Sequence, residues 1–176
     1  MLSKERIKEA ESNVKTYSEE GLLKKSSPDQ KVIEILLKNA RESLEVADDV
    51  HQKGKSELWT IVCSYYSMFY YANAVLLKFG YKVGDKIVHK VTSDAMIVHI
   101  RKKLKESFIE GYEKNRDEAL NLAGIKADEL IESLEFERNK RGRIQYETIE
   151  IEKKSKAKTS LQRAKEFALE MNKLLL

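Results

Sequence analysis

A run of 20 residues from Leu58 to Leu77 contains no charged side chain, although 35% of the residues in this chain are charged. Its apolar residues recur at alternating steps of four and three, which places them on one face of a helix: Leu58, Val62, Tyr65, Phe69, Ala72 and Leu76. Other apolar residues extend this face round most of the circumference, so the helix needs partners on nearly every side. Its serines and mid-helix aromatics argue against a membrane span. We therefore predict the central helix of a soluble bundle.

Length and composition predict one all-α domain. A chain of 176 residues is long enough to bury a single core. Seven glycines and one proline leave little material for the turns that many short strands would need. We expect residues 1–26 to form a short helix and a connection, and residues 27–176 to form the bundle.

Helix-capping residues predict where the first long helices begin and end. Ser27 is predicted as an N-cap followed by Pro28 at the first helical position, and this helix is expected to end near Gly54. Ser56 is predicted to cap the central helix, and Gly80 is predicted to stop it in a left-handed conformation.

The rest of the chain is predicted to contain a loop and three further helical segments. Residues 17–25 and 81–91 are read as connections. The later segments are a helix from Thr92 or Ser93 with a break near residues 115–117, a helix from Ala127 to Arg138, and a last helix from about Ile151 to Leu174. Four long amphipathic helices with modest connections predict an up-and-down four-helix bundle with additional short helices.

The aromatic side chains of the central helix form a belt that three neighbours in one subunit would leave partly open. This predicts a homodimer whose interface contains Tyr65, Tyr66, Phe69 and Tyr70. A surface on which nucleobases stack is the alternative interpretation of the same residues.

Several kinds of chemistry lack their sequence signature. The chain has neither a Gly-Lys-Ser/Thr phosphate loop nor a Gly-x-Gly-x-x-Gly motif, so we predict no cofactor. Asp48 and His51 have the spacing of a di-metal site, but the second pair and the inward glutamates are missing, so we predict no metal. Cys63 is read as a small buried hydrophobe. The charged start of the chain lacks a signal-peptide core, which predicts a cytoplasmic protein.

A basic cluster close to the last predicted helix is the strongest candidate for a binding site. Arg138, Lys140, Arg141 and Arg143 surround Gly142, and Gln145 and Tyr146 follow them. Glycine lets backbone N–H groups converge, and arginine offers planar bidentate donors, so such a turn can hold a phosphate. The alternative is a solvated turn whose positive charge favours the C-terminus of the preceding helix.

Two stretches together resemble the HEPN domains, in particular the small stand-alone prokaryotic and archaeal members. The first comprises residues 64–72, Gly80-Tyr81 and His89-Lys90, and it is similar to the central helix and following loop of that family. The second is residues 141–146, where the family carries an Arg-x(4–6)-His signature. The resemblance extends over roughly residues 28–174.

The resemblance implies a helical bundle that dimerises and brings two such motifs into one cleft. In many members this cleft cuts single-stranded RNA without metal, and many are toxins neutralised by a minimal nucleotidyltransferase. Arg141 matches the motif arginine, but Tyr146 stands where histidine is expected. Tyrosine is a poor base near neutral pH.

The resemblance therefore predicts a homodimer that binds single-stranded RNA or a nucleotide phosphate, as the toxin-type partner of a minimal nucleotidyltransferase. Arg141 and Tyr146 are the candidate catalytic residues, with Arg138, Lys140, Arg143 and Gln145 as binding neighbours. Metal-independent ribonuclease activity is the more specific form of this prediction. The alternative is a non-catalytic module whose bundle face docks another protein.

Overall fold

A computed structural model describes residues 2–122 and 146–176, with the helical backbone alone for residues 146–153. The described elements are, in chain order, α1 (Lys4–Glu19), β1 (Leu23–Lys25), α2 (Gln30–Gln52), α3 (Glu57–Lys78), β2 (Tyr81–Val83), α4 (Val88–Ala95), α5 (Glu106–Leu122) and α6 (Tyr146–Leu175). A π-helical turn (Met96–Ile100) and a 3-10 turn (Arg101–Lys103) connect α4 to α5. The described chain is therefore mostly helical, as predicted.

Helix α3 is the centre of the fold. It packs against α2, α5 and α6, and also against α4 and β2. Its fully buried residues include Ile61, Tyr65 and Leu76, and smaller side chains such as Ala72 let the neighbouring helices approach closely. The prediction of a central helix is confirmed. Across residues 2–122 and 146–176, no helix has both the length and the apolar character needed to cross a membrane.

Most of the predicted helix boundaries at α2 and α3 are confirmed. The Ser56 hydroxyl accepts a hydrogen bond from the backbone N–H of Trp59 at the start of α3. Gly54 and Gly80 have φ angles of +58° and +84° directly after α2 and α3, which is the left-handed conformation that ends a helix. The predicted N-cap of α2 is wrong. Asp29, not Ser27, caps this helix, and its carboxylate accepts from the N–H groups of residues 31 and 32.

Two predicted connections contain strands. Strands β1 and β2 form an antiparallel pair in the register Leu23↔Val83, Lys24↔Lys82 and Lys25↔Tyr81. Each strand is three residues long, so the alternation in either segment is too short to indicate a strand by itself. We call this pair the β-ribbon. Strand β2 follows shortly after the C-terminus of α3, and β1 precedes α2.

The later helices also differ from their predicted bounds. Helix α4 begins at Val88, before the predicted Thr92 or Ser93. Helix α5 continues without the break predicted near residues 115–117, because the buried Asn115 packs inside the fold and donates to the Ser160 carbonyl of α6 at 2.9 Å. Helix α6 begins at Tyr146, five residues before the predicted start. The helix predicted from Ala127 to Arg138 lies outside the described residues.

A buried polar network fastens α1 to α4 and α5. The Asp94 carboxylate, which has no exposed surface, accepts hydrogen bonds from three side chains of α1. Arg6 Nη2 lies 2.6 Å from Oδ1, while Asn13 Nδ2 and the Tyr17 hydroxyl lie 2.9 and 3.0 Å from Oδ2. Arg6 also donates to Glu113 Oε1 from Nε and Nη2, at 3.0 and 2.7 Å. Burial alone would lower the pKa of Arg6, but these carboxylates raise it.

Candidate functional site

Three aromatic side chains of α3 form a half-buried surface that we call the aromatic surface: Tyr66, Phe69 and Tyr70. Their ring centroids are 5.7–6.2 Å apart, within the range of favourable aromatic contacts. Steps of three and four residues place these rings side by side on one helix face. Each of the three side chains keeps part of its area exposed to solvent.

Tyr65 lies behind this surface, not on it. Its side chain is fully buried, with ring centroids 5.8 Å from Tyr66 and 5.9 Å from Tyr112. Burial strongly raises the pKa of the Tyr65 hydroxyl, so it stays protonated. In this conformation Tyr65 supports the aromatic surface from within the protomer. The prediction that it contacts a second copy is therefore corrected, whereas Tyr66, Phe69 and Tyr70 keep solvent-facing area.

His89 of α4 borders the aromatic surface. Its ring centroid lies 4.7 Å from that of Phe69 and 5.9 Å from that of Tyr66. His89 Nδ1 and the Tyr65 hydroxyl are 2.8 Å apart and share a hydrogen bond. This bond fixes the orientation of the imidazole. His89 is thus held in one orientation at the edge of three aromatic rings. There its imidazole can stack on a planar ligand or form a hydrogen bond with it.

The backbone directly before α4 is in an unfavourable conformation. Ile87 has φ = +42°, and it is the one described non-glycine residue with a positive φ. A β-branched residue adopts this conformation rarely because its side chain crowds the backbone. Such strain persists only where surrounding contacts hold it, and it is common at functional sites. Here it sets the path of the chain that carries His89.

An open groove of about 210 Å³ lies next to the aromatic surface and shares Phe69 with it. Most of its wall is apolar, and the polar contributions come from Asn73, Lys82 and the backbone at Gly84. The full lining comprises Val32, Leu36, Phe69, Asn73, Leu77, Tyr81, Lys82, Val83, Gly84 and Val88. The groove is therefore built by α2, α3, the β-ribbon and the start of α4.

Tyr81 of the β-ribbon is covered on its two faces by cationic or titratable groups. The His99 ring stacks on it with centroids 3.8 Å apart and an interplanar angle of 14°. Lys25 Nζ lies 3.7 Å from the Tyr81 centroid, a cation–π contact. The π-helical turn that carries His99 turns its ring onto Tyr81. Burial, and secondly the charge of Lys25, lower the pKa of His99.

We expect the His99 ring protons to titrate in NMR with a midpoint below the ordinary value near 6.5. As the pH falls below about 6.5, His99 becomes protonated in the unfolded chain before it does so in the folded one. The free energy of unfolding should therefore decrease as the pH decreases. Lys25→Gln should move the midpoint upward in part, since burial remains. A midpoint at or above 6.5, or one unchanged in Lys25→Gln with the Tyr81 contact intact, would contradict this account.

The segment that links α3 to α5 is strongly basic. Residues 81–105 contain seven Lys or Arg residues and two Asp residues, a net charge of +5. One of the two aspartates, Asp94, is buried and bound by Arg6. Among the described residues, no carboxylate lies within 4 Å of Lys82, Lys86 or Lys90. The chain that follows α3 thus carries positive charge that the described residues do not compensate, and Lys82 brings part of it to the groove.

The basic cluster predicted as the main binding site is not placed by the structure. Arg138, Lys140, Arg141, Arg143 and Gln145 lie outside the described residues. Tyr146 is the first residue of α6, and its side chain is likewise not described.

The other candidate residues have structural partners. Asp48 forms an ion pair with Lys165 at 2.7 Å. Over residues 2–122 and 154–176, no group of three or more His, Cys, Asp or Glu side chains is arranged to hold a metal ion. Cys63 is half-buried, and burial raises the pKa of its thiol, which lowers its nucleophilicity at neutral pH.

Sequence reasoning missed the groove and the β-ribbon lysines. The available signal was weak: Leu23-Lys24-Lys25 follows Gly21, and Tyr81-Lys82-Val83 stands between Gly80 and Gly84. Comparison with known proteins adds no assignment, because no protein-family model, no curated protein and no solved structure matches this chain.

Proposed function

We propose that this chain is a HEPN-like up-and-down bundle that binds single-stranded RNA, or a nucleotide phosphate, in a cleft between two copies. The observation that carries the proposal is the aromatic surface of Tyr66, Phe69 and Tyr70, bordered by His89. His89 belongs to residues 81–105, a segment with a net charge of +5. Proteins that bind single strands combine stacking aromatic rings with a basic track for the phosphates.

The proposal assigns a role to each part of this surface. Tyr66 and Tyr70 present ring faces on which bases stack, and His89 extends this platform by one more ring. Lys86 and Lys90 neutralise phosphates beside it. Arg141, with its basic neighbours, would contribute further phosphate contacts. In this arrangement the second copy pairs along the rim of α3 next to the aromatic surface.

Catalysis is the sharper part of the proposal. Metal-independent cleavage needs a base for the 2′-hydroxyl and an acid for the leaving oxygen, and imidazole serves both roles near neutral pH. Tyr146 replaces the histidine of the Arg-x(4–6)-His signature, so we propose binding as the primary activity. The genomic partner implied by the resemblance is a minimal nucleotidyltransferase, which would make the chain the toxin-type member of a pair.

Fluorescence anisotropy with a labelled single-stranded RNA tests the binding. Tyr66→Ala should weaken RNA binding roughly 5- to 150-fold, the loss expected when one base is no longer stacked. Val46→Ala is the matched control, because Val46 is an apolar side chain of α2 that is 49% exposed. The affinity of the unmodified chain should also fall steeply with salt, with a slope near −0.7 per phosphate contacted. Arg141→Ala should make this slope shallower.

Light scattering and a cleavage assay in EDTA complete the experiment. If Tyr66→Ala lowers RNA affinity at unchanged mass, the ring contacts RNA; if the dimer dissociates at the same time, the ring belongs to the pairing surface. RNA that is cut in EDTA by the unmodified chain and left intact by Arg141→Ala would add ribonuclease activity to the proposal. No RNA affinity above background would overturn the proposal and favour a module that docks another protein. The exposed Ile35 and Val46 of α2 are then candidate contacts.

A further inference from the structure

Two lysines face each other directly across the β-ribbon. Lys24 and Lys82 are partners in the antiparallel register, and both side chains are exposed. Residues opposite each other in such a pair have Cβ atoms about 4.5–5.5 Å apart, and like charges at this distance destabilise the strands. Among the described residues, no carboxylate lies within 4 Å of either amine. The pair is therefore a concentration of positive charge that the described fold does not neutralise.

The lysine pair stands at the edge of the apolar groove. Lys82 is part of the groove lining. Lys24 does not line the groove itself, but it is the partner of Lys82 in the register of the β-ribbon. A ligand whose apolar part lies against Leu36 and Phe69 therefore has Lys82 beside it, with Lys24 opposite Lys82 on the β-ribbon.

The size and charge of the site narrow the class of ligand. About 210 Å³ is less than the roughly 300–1,000 Å³ of pockets that hold drug-sized molecules, so the groove fits one ring system. Two adjacent lysines favour a head group with close to two negative charges. A phosphate monoester carries about −1.5 to −2 at pH 7, whereas a carboxylate carries one charge.

We propose that the groove and the Lys24–Lys82 pair together bind a phosphate monoester that carries a single apolar or aromatic ring. The ring occupies the groove between α2, α3 and the β-ribbon, and the phosphate lies between the two amines. Bound phosphate would remove the like-charge repulsion across the β-ribbon. The groove shares Phe69 with the aromatic surface. Lys24 and Lys82 do not belong to that surface, so variants of these two lysines test the groove site apart from base stacking.

Isothermal titration calorimetry with phenyl phosphate at pH 7.5 tests the site. Inorganic phosphate and phenol, which represent the two halves of this ligand, are titrated separately for comparison. Phenyl phosphate should bind more tightly than either half. Lys24→Gln and Lys82→Gln should each weaken it roughly fivefold, the loss of one charge-assisted contact at an exposed site. Lys38→Gln is the matched control, because Lys38 is an exposed lysine of α2 that already pairs with Glu42 at 3.7 Å. Equal binding of phenyl phosphate and inorganic phosphate, or equal losses in all three variants, would overturn the proposal.

A second measurement identifies the source of the phosphate. RNA oligonucleotides with a 5′-phosphate and with a 5′-hydroxyl differ only in the monoester. Tighter binding of the 5′-phosphorylated RNA, lost in Lys82→Gln, would identify the end of a strand as the ligand. If the two RNAs bind equally well and phenyl phosphate still binds, the ligand of the groove is a free small molecule. If neither RNA binds and phenyl phosphate does, RNA binding is refuted and the groove site remains.

Discussion

Replacing Asp94 by alanine is expected to lower the free energy of unfolding by about 3–5 kcal/mol, because it leaves buried donors without their shared acceptor. Arg6, Asn13 and Tyr17 all donate to this one carboxylate. For a chain of this length the melting temperature should fall by roughly 6–20 °C. Urea unfolding followed by circular dichroism measures the change.

The control for this prediction is Glu9→Gln. Glu9 also pairs with Arg6, at 3.5 Å, but its side chain is 56% exposed, and solvent screens such pairs. We expect a change below about 0.5 kcal/mol. The double variant Arg6→Met with Asp94→Ala should lose less than the sum of the two single variants, since both members of the Arg6–Asp94 pair are then removed together. Glu113, which also accepts from Arg6, keeps Arg116 at 3.7 Å. Strict additivity would show that the two groups do not interact as described.

Replacing Phe167 by alanine is expected to cost about 3–5 kcal/mol of unfolding free energy, because it opens a cavity at the contact between α6 and α5. Phe167 has no exposed surface, and its ring centroid lies 5.6 Å from that of Tyr112. Tyr112 in turn packs on Tyr65 behind the aromatic surface. The effect should therefore extend to RNA affinity at temperatures near the lowered melting point.

Leu169→Ala is the matched control on the same helix. Leu169 lies two residues further along α6 and is 67% exposed, so its removal leaves no cavity. Its effect should lie within about 0.5 kcal/mol of zero. Two variants with similar losses in chemical denaturation would mean that α6 packs on α5 in a different rotation from the one described.

The stability of α1 and α6 bears on the candidate sites because neither site is built by one element. The groove is formed by α2, α3, the β-ribbon and the first residue of α4, Val88. Helix α4 also carries His89, and the Asp94 network anchors its other end to α1 and α5. Loss of this anchor should loosen α4 and with it the edge of the aromatic surface.

The aromatic surface could be predicted from the sequence in part. The spacing of Tyr66, Phe69 and Tyr70 places them on one face of a helix, which periodicity reveals. The same spacing could not show that Tyr65 turns inward, because its position is decided by packing against Tyr112 and His89. Nor could it show which aromatic rings stay open to solvent, since that depends on where the neighbouring helices stop.

What the sequence determined by itself is local: a central uncharged helix, the cap at Ser56, and the glycines that end α2 and α3. These features follow from repeat spacing and from backbone hydrogen bonds within a few residues. The tertiary structure alone decided the rest. Arg6 meets Asp94 across 88 residues of chain, and Lys24 meets Lys82 through a ribbon that neither strand could form alone. Such contacts arise only when packing brings distant segments together, so the groove and its lysine pair belong to the folded molecule and not to any stretch of its sequence.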